Sequence, residues 1–445
     1  MRNPFPLSRR QMLTASGYAA AAAVLPKWFL EETLDAAEAP EPKSANDKPG
    51  VLLIGCGGRG QADADEASRF CRIVAVCDVD DRHAQGGARK YAGAKPHHNF
   101  REALQQKDVD AVITGTPDHW HTFVNLAALK AGKDVYSEKP LTLTIDEGKR
   151  VVDAVKKTGR VFQVGSQQRS EANFRLACEL VRNERIGKLK EVTVILPAGL
   201  RGGPFQPEPV PQGLDWDMWQ GQAPAVPYVP ERCHATFRYW YDYSGGTMTD
   251  WGAHHNDIAL WAMGMDRSGP VTIEGKPVVD MIPGGYTAAS EYHIEYTYAN
   301  GVRHRCLSTI GDTGFGGVVY RGPGVLHNGI RFDGTSGWIW VSRGQLEASQ
   351  PQILKEPLPG DAVRLPVSND HKANFFECIR TRKEPVAPAE AGHRAVSVCH
   401  LGVISMRLGR KLQWDPDKQQ FVNDDEADKW LTREQRKPWT YEMIG

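Results

Sequence analysis

Between Val51 and Ser166 the chain alternates two textures. Short apolar runs occur at Val51–Ile54, in CRIVAVCDVD (71–80), VDAVITGT (109–116), KDVYSEK (133–139) and RVFQVGS (160–166). Between them lie longer stretches whose apolar positions recur every three or four residues, such as HTFVNLAALKAG (121–132) and TIDEGKRVVDAVKKTG (144–159). Runs of the first kind predict strands buried on both faces, and the second kind predicts amphipathic helices. Strands and helices in strict alternation specify a parallel, doubly wound α/β sheet.

The texture changes after residue 167. LKEVTVILPAGL (189–200) has strand character, and an irregular segment rich in Pro, Gly, Trp and Tyr runs from Arg201 to Tyr243. Glu291–Tyr298 and Gly337–Ser342 predict antiparallel strands with one buried face. MTDWGAHHNDIALWAMG (248–264), NDHKANFFECIRTRKEP (369–385) and AEAGHRAVSVCHLGVISMRLG (389–409) predict helices, the first largely buried. The fold class is therefore an N-terminal Rossmann domain, residues 51–167, followed by an α+β open-sheet domain, residues 168–445.

The N-terminus carries a different pattern. Arg9 and Arg10 precede a mild, alanine-rich apolar run, and a small-residue site stands at Ala37–Ala39. A charged head, an apolar middle and a small-residue site make an export signal, here assigned to residues 1–39. The paired arginines specify the twin-arginine route, which exports folded proteins to the periplasm or another extracytoplasmic compartment. Residues 40–50 are read as a linker or arm, and the first forty residues are set aside from the fold. The apolar run is too short for a stable membrane anchor. The first cysteine, Cys56, lies beyond the signal, which disfavours a lipoprotein.

The 445 residues include 54 basic and 54 acidic side chains, a balance that favours neither nucleic acid nor an anionic membrane as partner. The eight cysteines show no C-x-x-C pair and predict buried thiols rather than a disulfide framework.

Candidate chemistry clusters at the carboxyl ends of the predicted strands. Gly55, Gly57 and Gly60 stand in G-x-G-x-x-G spacing after the first strand. Gly55 permits the tight turn, Gly57 lets a pyrophosphate approach the backbone, and Gly60 lets helix and strand pack closely. Asp78 closes the second strand, where its carboxylate would accept from ribose hydroxyls and repel a 2′-phosphate, so NAD is preferred to NADP. Arg59 in the glycine turn, and Thr116, Pro117, His121, Glu138 and Lys139 at or after the ends of later strands, are candidates for the cofactor-binding set, since ligand groups in such sheets gather there. In the second half, Asp250 and His254 are four apart on one helical face, with Asp257 three beyond. A carboxylate beside a histidine suits a general base. A metal site and plain burial are the rivals, and no metal is called for elsewhere.

In its glycine motif, T-P-x-x-x-H (116–121), EKP (138–140) and DWGAH (250–254), the chain resembles the Gfo/Idh/MocA oxidoreductases across residues 50–410. The resemblance implies that Lys139 contacts both nicotinamide and substrate, that Thr116, Pro117 and His121 border the cofactor, and that Asp250 and His254 are acid and base. GSQQR (165–169) departs from the family pattern; Gln168 and Arg169, with Tyr243 and His255, are the candidate substrate-binding residues. The implied reaction oxidises a secondary alcohol of a sugar, glycoside or polyol, with hydride passing to tightly bound NAD. The alternative is a redox-neutral glycosidase or lyase. Trp216, Trp219 and the aromatics of 237–243 offer flat faces to a sugar ring, and a homo-oligomer is the implied assembly.

Overall fold

The computed structural model describes residues 25–34, 48–308 and 328–444. The twin-arginine pair, the Ala37–Ala39 site and most of the proposed arm lie outside the described residues.

Six short strands build the first sheet: β1 (Gly50–Ile54), β2 (Arg72–Cys77), β3 (Lys95–His97), β4 (Ala111–Thr114), β5 (Asp134–Ser137) and β6 (Phe162–Val164). All pairs are parallel, in the order β3-β2-β1-β4-β5-β6. The strand order reverses between β1 and β4, which opens a crevice above their carboxyl ends. Every residue of β1, β4 and β5 is buried, the reason they read as unbroken apolar runs. The intervening helices are α2 (Gly58–Ala67), α3 (Asp81–Lys90), α4 (Asp118–Lys130) and α5 (Ile145–Thr158), after an isolated α1 (Lys27–Leu34) that precedes β1. The termini of α5 are written in sequence: Thr144 and Glu147 form a reciprocal capping box, and Gly159 ends the helix at φ 62°.

The second half forms a nine-stranded mixed sheet: β7 (Leu189–Ile195), β8 (Thr272–Pro277), β9 (Tyr292–Thr297), β10 (Arg303–Leu307), β11 (Gly329–Gly334), β12 (Trp338–Ser342), β13 (Gln345–Ala348), β14 (Leu412–Asp415) and β15 (Gln420–Phe421). Its neighbours pair antiparallel except β7 and β10, which are parallel. That exception was not readable from alternation, because the meander β8–β9–β10 must be traced before the direction of β10 is known. Helices α6 (Ala172–Arg182), α7 (Thr247–Met263) and α9 (Ala389–Leu408) pack on this sheet.

The late helices also return to the first domain. Phe375 and Phe376 of α8 (His371–Thr381) join the core beneath β1 and β2. His400 of α9 contacts the Thr142 carbonyl oxygen at 3.0 Å. Residues 387–388 run along β6: Val164 N donates to Ala387 O at 2.8 Å, and Gln163 bridges to Pro388.

One part of the expectation for the N-terminus, that the first forty residues stand outside the fold, is corrected. Residues 27–34, set aside with the export signal, form a helix whose Phe29 is fully buried in the core of the second half. A short segment with two charged outer residues resembles a leader remnant until its partners, more than a hundred residues away, are known.

Candidate active site

The glycine turn shows why each glycine is there. Gly55 sits at φ +87°, and a Cβ on it would lie 2.5 Å from the Gly115 carbonyl carbon. A Cβ on Gly60 would stand 1.9 Å from Gly55 O, so α2 can close on β1 only without one. Gly57 differs: its missing Cβ would meet nothing within 4 Å, and it faces a cavity of about 550 Å³. It is also the N-cap of α2, with no side chain capping the first turn. Bare N–H groups at a helix N-terminus beside an open glycine fit a pyrophosphate. Thr116 lines the same cavity, and its buried Oγ1 has no partner among the described residues.

Asp78 closes β2 at the cavity wall. Its carboxylate accepts from Cys56 N at 2.7 Å and Asp80 N at 2.9 Å, which fixes it beside the glycine turn. Beside it lie His83, 3.6 Å from Asp78, and His234, 3.4 Å from Asp80. Among the described residues, Asp80, His83 and His234 are the only His/Cys/Asp/Glu group spaced for a metal. Asp250, His254 and Asp257 form no such group.

At the opposite end stands Lys139, brought there by β5. Its ammonium ion-pairs with Asp250 of α7, and Arg238 reaches the same carboxylate oxygen at 3.4 Å. Burial works against the Asp250 charge, but Lys139 and Arg238 hold its carboxyl below the usual range. Glu138 meets Arg59 at 3.3 Å and Gln167 at 2.8 Å; burial, with Asp63 nearby, pushes it up to about 7. Burial also lifts Asp118, which accepts from Ser244 Oγ, to about 7.

His254 lies one turn beyond Asp250 and is buried, and neither side chain is among those that line the cavity. Its Nδ1 has no hydrogen-bond partner among the described residues, and the carboxylate of Asp250 does not orient the ring as the spacing suggested. The stronger attraction of Lys139 and Arg238 has taken that carboxylate. Burial, followed by the charge of Lys139, holds the His254 pKa well below 6.5, so the imidazole is neutral at pH 7.

Other candidates find different employment. Arg169 is 3 % exposed and grips Asp257 through two 2.8 Å bonds, leaving no free edge for substrate. Gln168 is fully buried and its side-chain amide has no partner among the described residues. Tyr243 is fully buried among Trp219 (4.9 Å between ring centres) and His119 (5.0 Å). Trp216 stacks on Trp219 at 4.8 Å, so these aromatics build a wall; Trp219 also faces the cavity. His255 bonds Asn328 at 2.6 Å. His121 is absent from the cavity lining and faces the Pro140 and Thr116 carbonyl oxygens at 2.7 and 2.9 Å, bracing two turns that line it or adjoin Lys139. All eight cysteines are buried and free.

Arg238 and Asp118 were missed as site residues. Asp118 stands at the first open position of T-P-x-x-x-H (116–121), and Arg238 is the single cation of an aromatic run just before Gly245–Gly246. Such a cation has few uses beyond meeting an anion, a signal that was present in the sequence.

Residues 50–166 match the family model for an oxidoreductase family's NAD-binding Rossmann fold, and residues 201–441 match that family's C-terminal alpha/beta domain. The chain belongs to the Gfo/Idh/MocA oxidoreductase family. Its two-part architecture is the family's, with the glycine cradle in the first part and Asp250 and His254 in the second. Inositol 2-dehydrogenase of Salmonella typhimurium is 32 % identical over 146 residues, covering 31 % of this chain and 44 % of that protein. Inositol 2-dehydrogenase 2 of Saccharopolyspora erythraea is 34 % identical over 143 residues, 31 % of this chain and 42 % of the relative. The match thus spans less than half the length of these relatives. The Bordetella pertussis WlbA dehydrogenase, solved with NADH and UDP-GlcNAcA, superposes with a TM-score of 0.60 at 18 % identity, over 83 % of this chain and 99 % of that one. The aldose-aldose oxidoreductase of Caulobacter crescentus gives 0.59 at 20 %, over 82 % and 99 %. At these identities the likeness is one of fold.

Proposed function

We propose that this family member oxidises a secondary alcohol of a sugar, glycoside or polyol with tightly held NAD, in an extracytoplasmic compartment reached by the twin-arginine route. The observation that carries the reading is Lys139, which lines the glycine-cradled cavity and ion-pairs with Asp250. The turn at Gly55–Gly60 suits the pyrophosphate of a dinucleotide and Asp78 its adenosine ribose, and the bound dinucleotide would supply the hydride acceptor.

The remaining work falls to the chain. Lys139, held by Asp250, donates a hydrogen bond to the substrate oxygen as negative charge develops there. His254, neutral because it is buried beside a cation, takes the hydroxyl proton. The aromatic wall of Trp219 and Phe237 excludes water from the closed side. Inositol dehydrogenases among the relatives support a polyhydroxylated substrate.

The test is to denature the purified protein, identify the released nucleotide, and screen sugars and polyols for growth of reduced-nicotinamide absorbance in the intact enzyme. A preparation that carries no nucleotide and needs stoichiometric added NAD removes the tight-binding part. A panel in which no polyhydroxylated compound reduces NAD removes the substrate class.

A further inference from the structure

Helix α1 is joined to the second half by contacts of several kinds. Phe29 is fully buried and Leu25 is 7 % exposed, both in the core shared by α6, α7 and the large sheet. The guanidinium of Arg175, on α6, lies 4.1 Å over the Phe29 ring and donates to Thr33 Oγ1. Trp28 Nε1 donates to Leu354 O at 3.2 Å, and Asn369 Nδ2 to Thr33 O at 3.5 Å. The outer face carries Lys27 and Glu31, exposed and paired with each other. This is the amphipathic division of a helix that belongs to a fold.

Arg175 makes the segment hard to dispense with. The side chain is buried, with Glu179 at 2.9 Å as its ion-pair partner. Taking α1 away would strip the ring and the Thr33 hydroxyl from a buried cation and open an apolar face. A helix this short is marginal in water, so once severed from the chain it would be lost by dilution.

We propose that α1 is a permanent structural part of the mature protein, so that leader removal leaves the chain intact from Leu25 onward and does not cut at Ala37–Ala39. The statement about removal rests on the export reading; the statement about α1 does not.

Two measurements separate them. Chains beginning at Leu25 and at Pro40, made without a leader, are compared by thermal unfolding, and the exported protein is sequenced from its N-terminus. The chain from Pro40 should melt roughly 5–15 °C lower, or fail to fold, and regain stability with a peptide covering residues 25–36. Phe29→Ala in the longer chain should reproduce most of the loss, and Phe29→Leu only part. Equal melting of the two chains overturns the structural role. A mature N-terminus beyond Ala37 in a fully active, stable protein overturns the processing site. A protein that keeps its leader agrees with a retained α1 and counts against export processing alone.

Discussion

The ammonium of Lys139 and the carboxylate of Asp250 meet although 111 residues separate them, one from the first domain and one from α7 of the second. The pair is one of the contacts that join the two halves, and it holds a cation at the cavity wall. Asp250→Asn keeps the shape but removes the charge that holds Lys139. Turnover should fall about 10- to 100-fold, with nucleotide content of the purified protein unchanged. A kcat within about twofold of the parent would place the pair outside the mechanism.

His254→Ala should lower turnover by about two to four orders of magnitude near neutral pH. Because burial and Lys139 depress the imidazole pKa, activity should persist below pH 6.5 and be lost only as pH falls through the depressed value. Arg343 is a further positive neighbour of the ring. Arg343→Gln should therefore move this acid limb upward. A limb that stays put on that change, or one at ordinary histidine pH, assigns the titration to another group.

Asp118 predicts a stability effect of definite sign. Its folded-state pKa of about 7 exceeds the ordinary 3.8, so the folded chain holds this proton more tightly than the unfolded one. The resulting stabilisation is complete below pH 3.8 and is lost as pH rises to about 7, by at most about 4 kcal/mol. Asp118→Asn should remove that slope, leaving the variant more stable than the parent at pH 8. Urea unfolding of both chains from pH 4 to 8 measures the difference, and parallel curves would refute it.

For Arg169→Met the expected loss is structural. Asp257 would be left buried without its partner, at a cost of about 3–5 kcal/mol. The folded fraction should keep the parent's KM. A raised KM with unchanged stability would return Arg169 to the substrate site.

What the sequence made legible was local. The glycine spacing, the alternation of strand and helix, and the strand-end Lys139 each depend on residues near one another in the chain. The site's actual partnerships do not. Asp250 is four residues from His254, yet it serves Lys139 and Arg238; Arg169 is 88 residues from Asp257. Helical spacing shows which groups can meet within one helix and says nothing of stronger charges arriving from elsewhere. The segment around Phe29 was set aside from the fold for the same reason, since the Phe29 ring meets a cation on α6.

The strip at residues 387–388 that runs along β6 bears on how the protein is made. Gln163 and Pro388 lie roughly 225 residues apart. A ribosome moving at about 5–20 residues per second would take about 10–45 s to deliver the second after the first. During that interval the border of the parallel sheet is an unmatched row of amides and carbonyls, open to pairing with other nascent chains. The nucleotide-binding half is therefore not a free-standing module, and expressed alone it should depend on chaperones or precipitate.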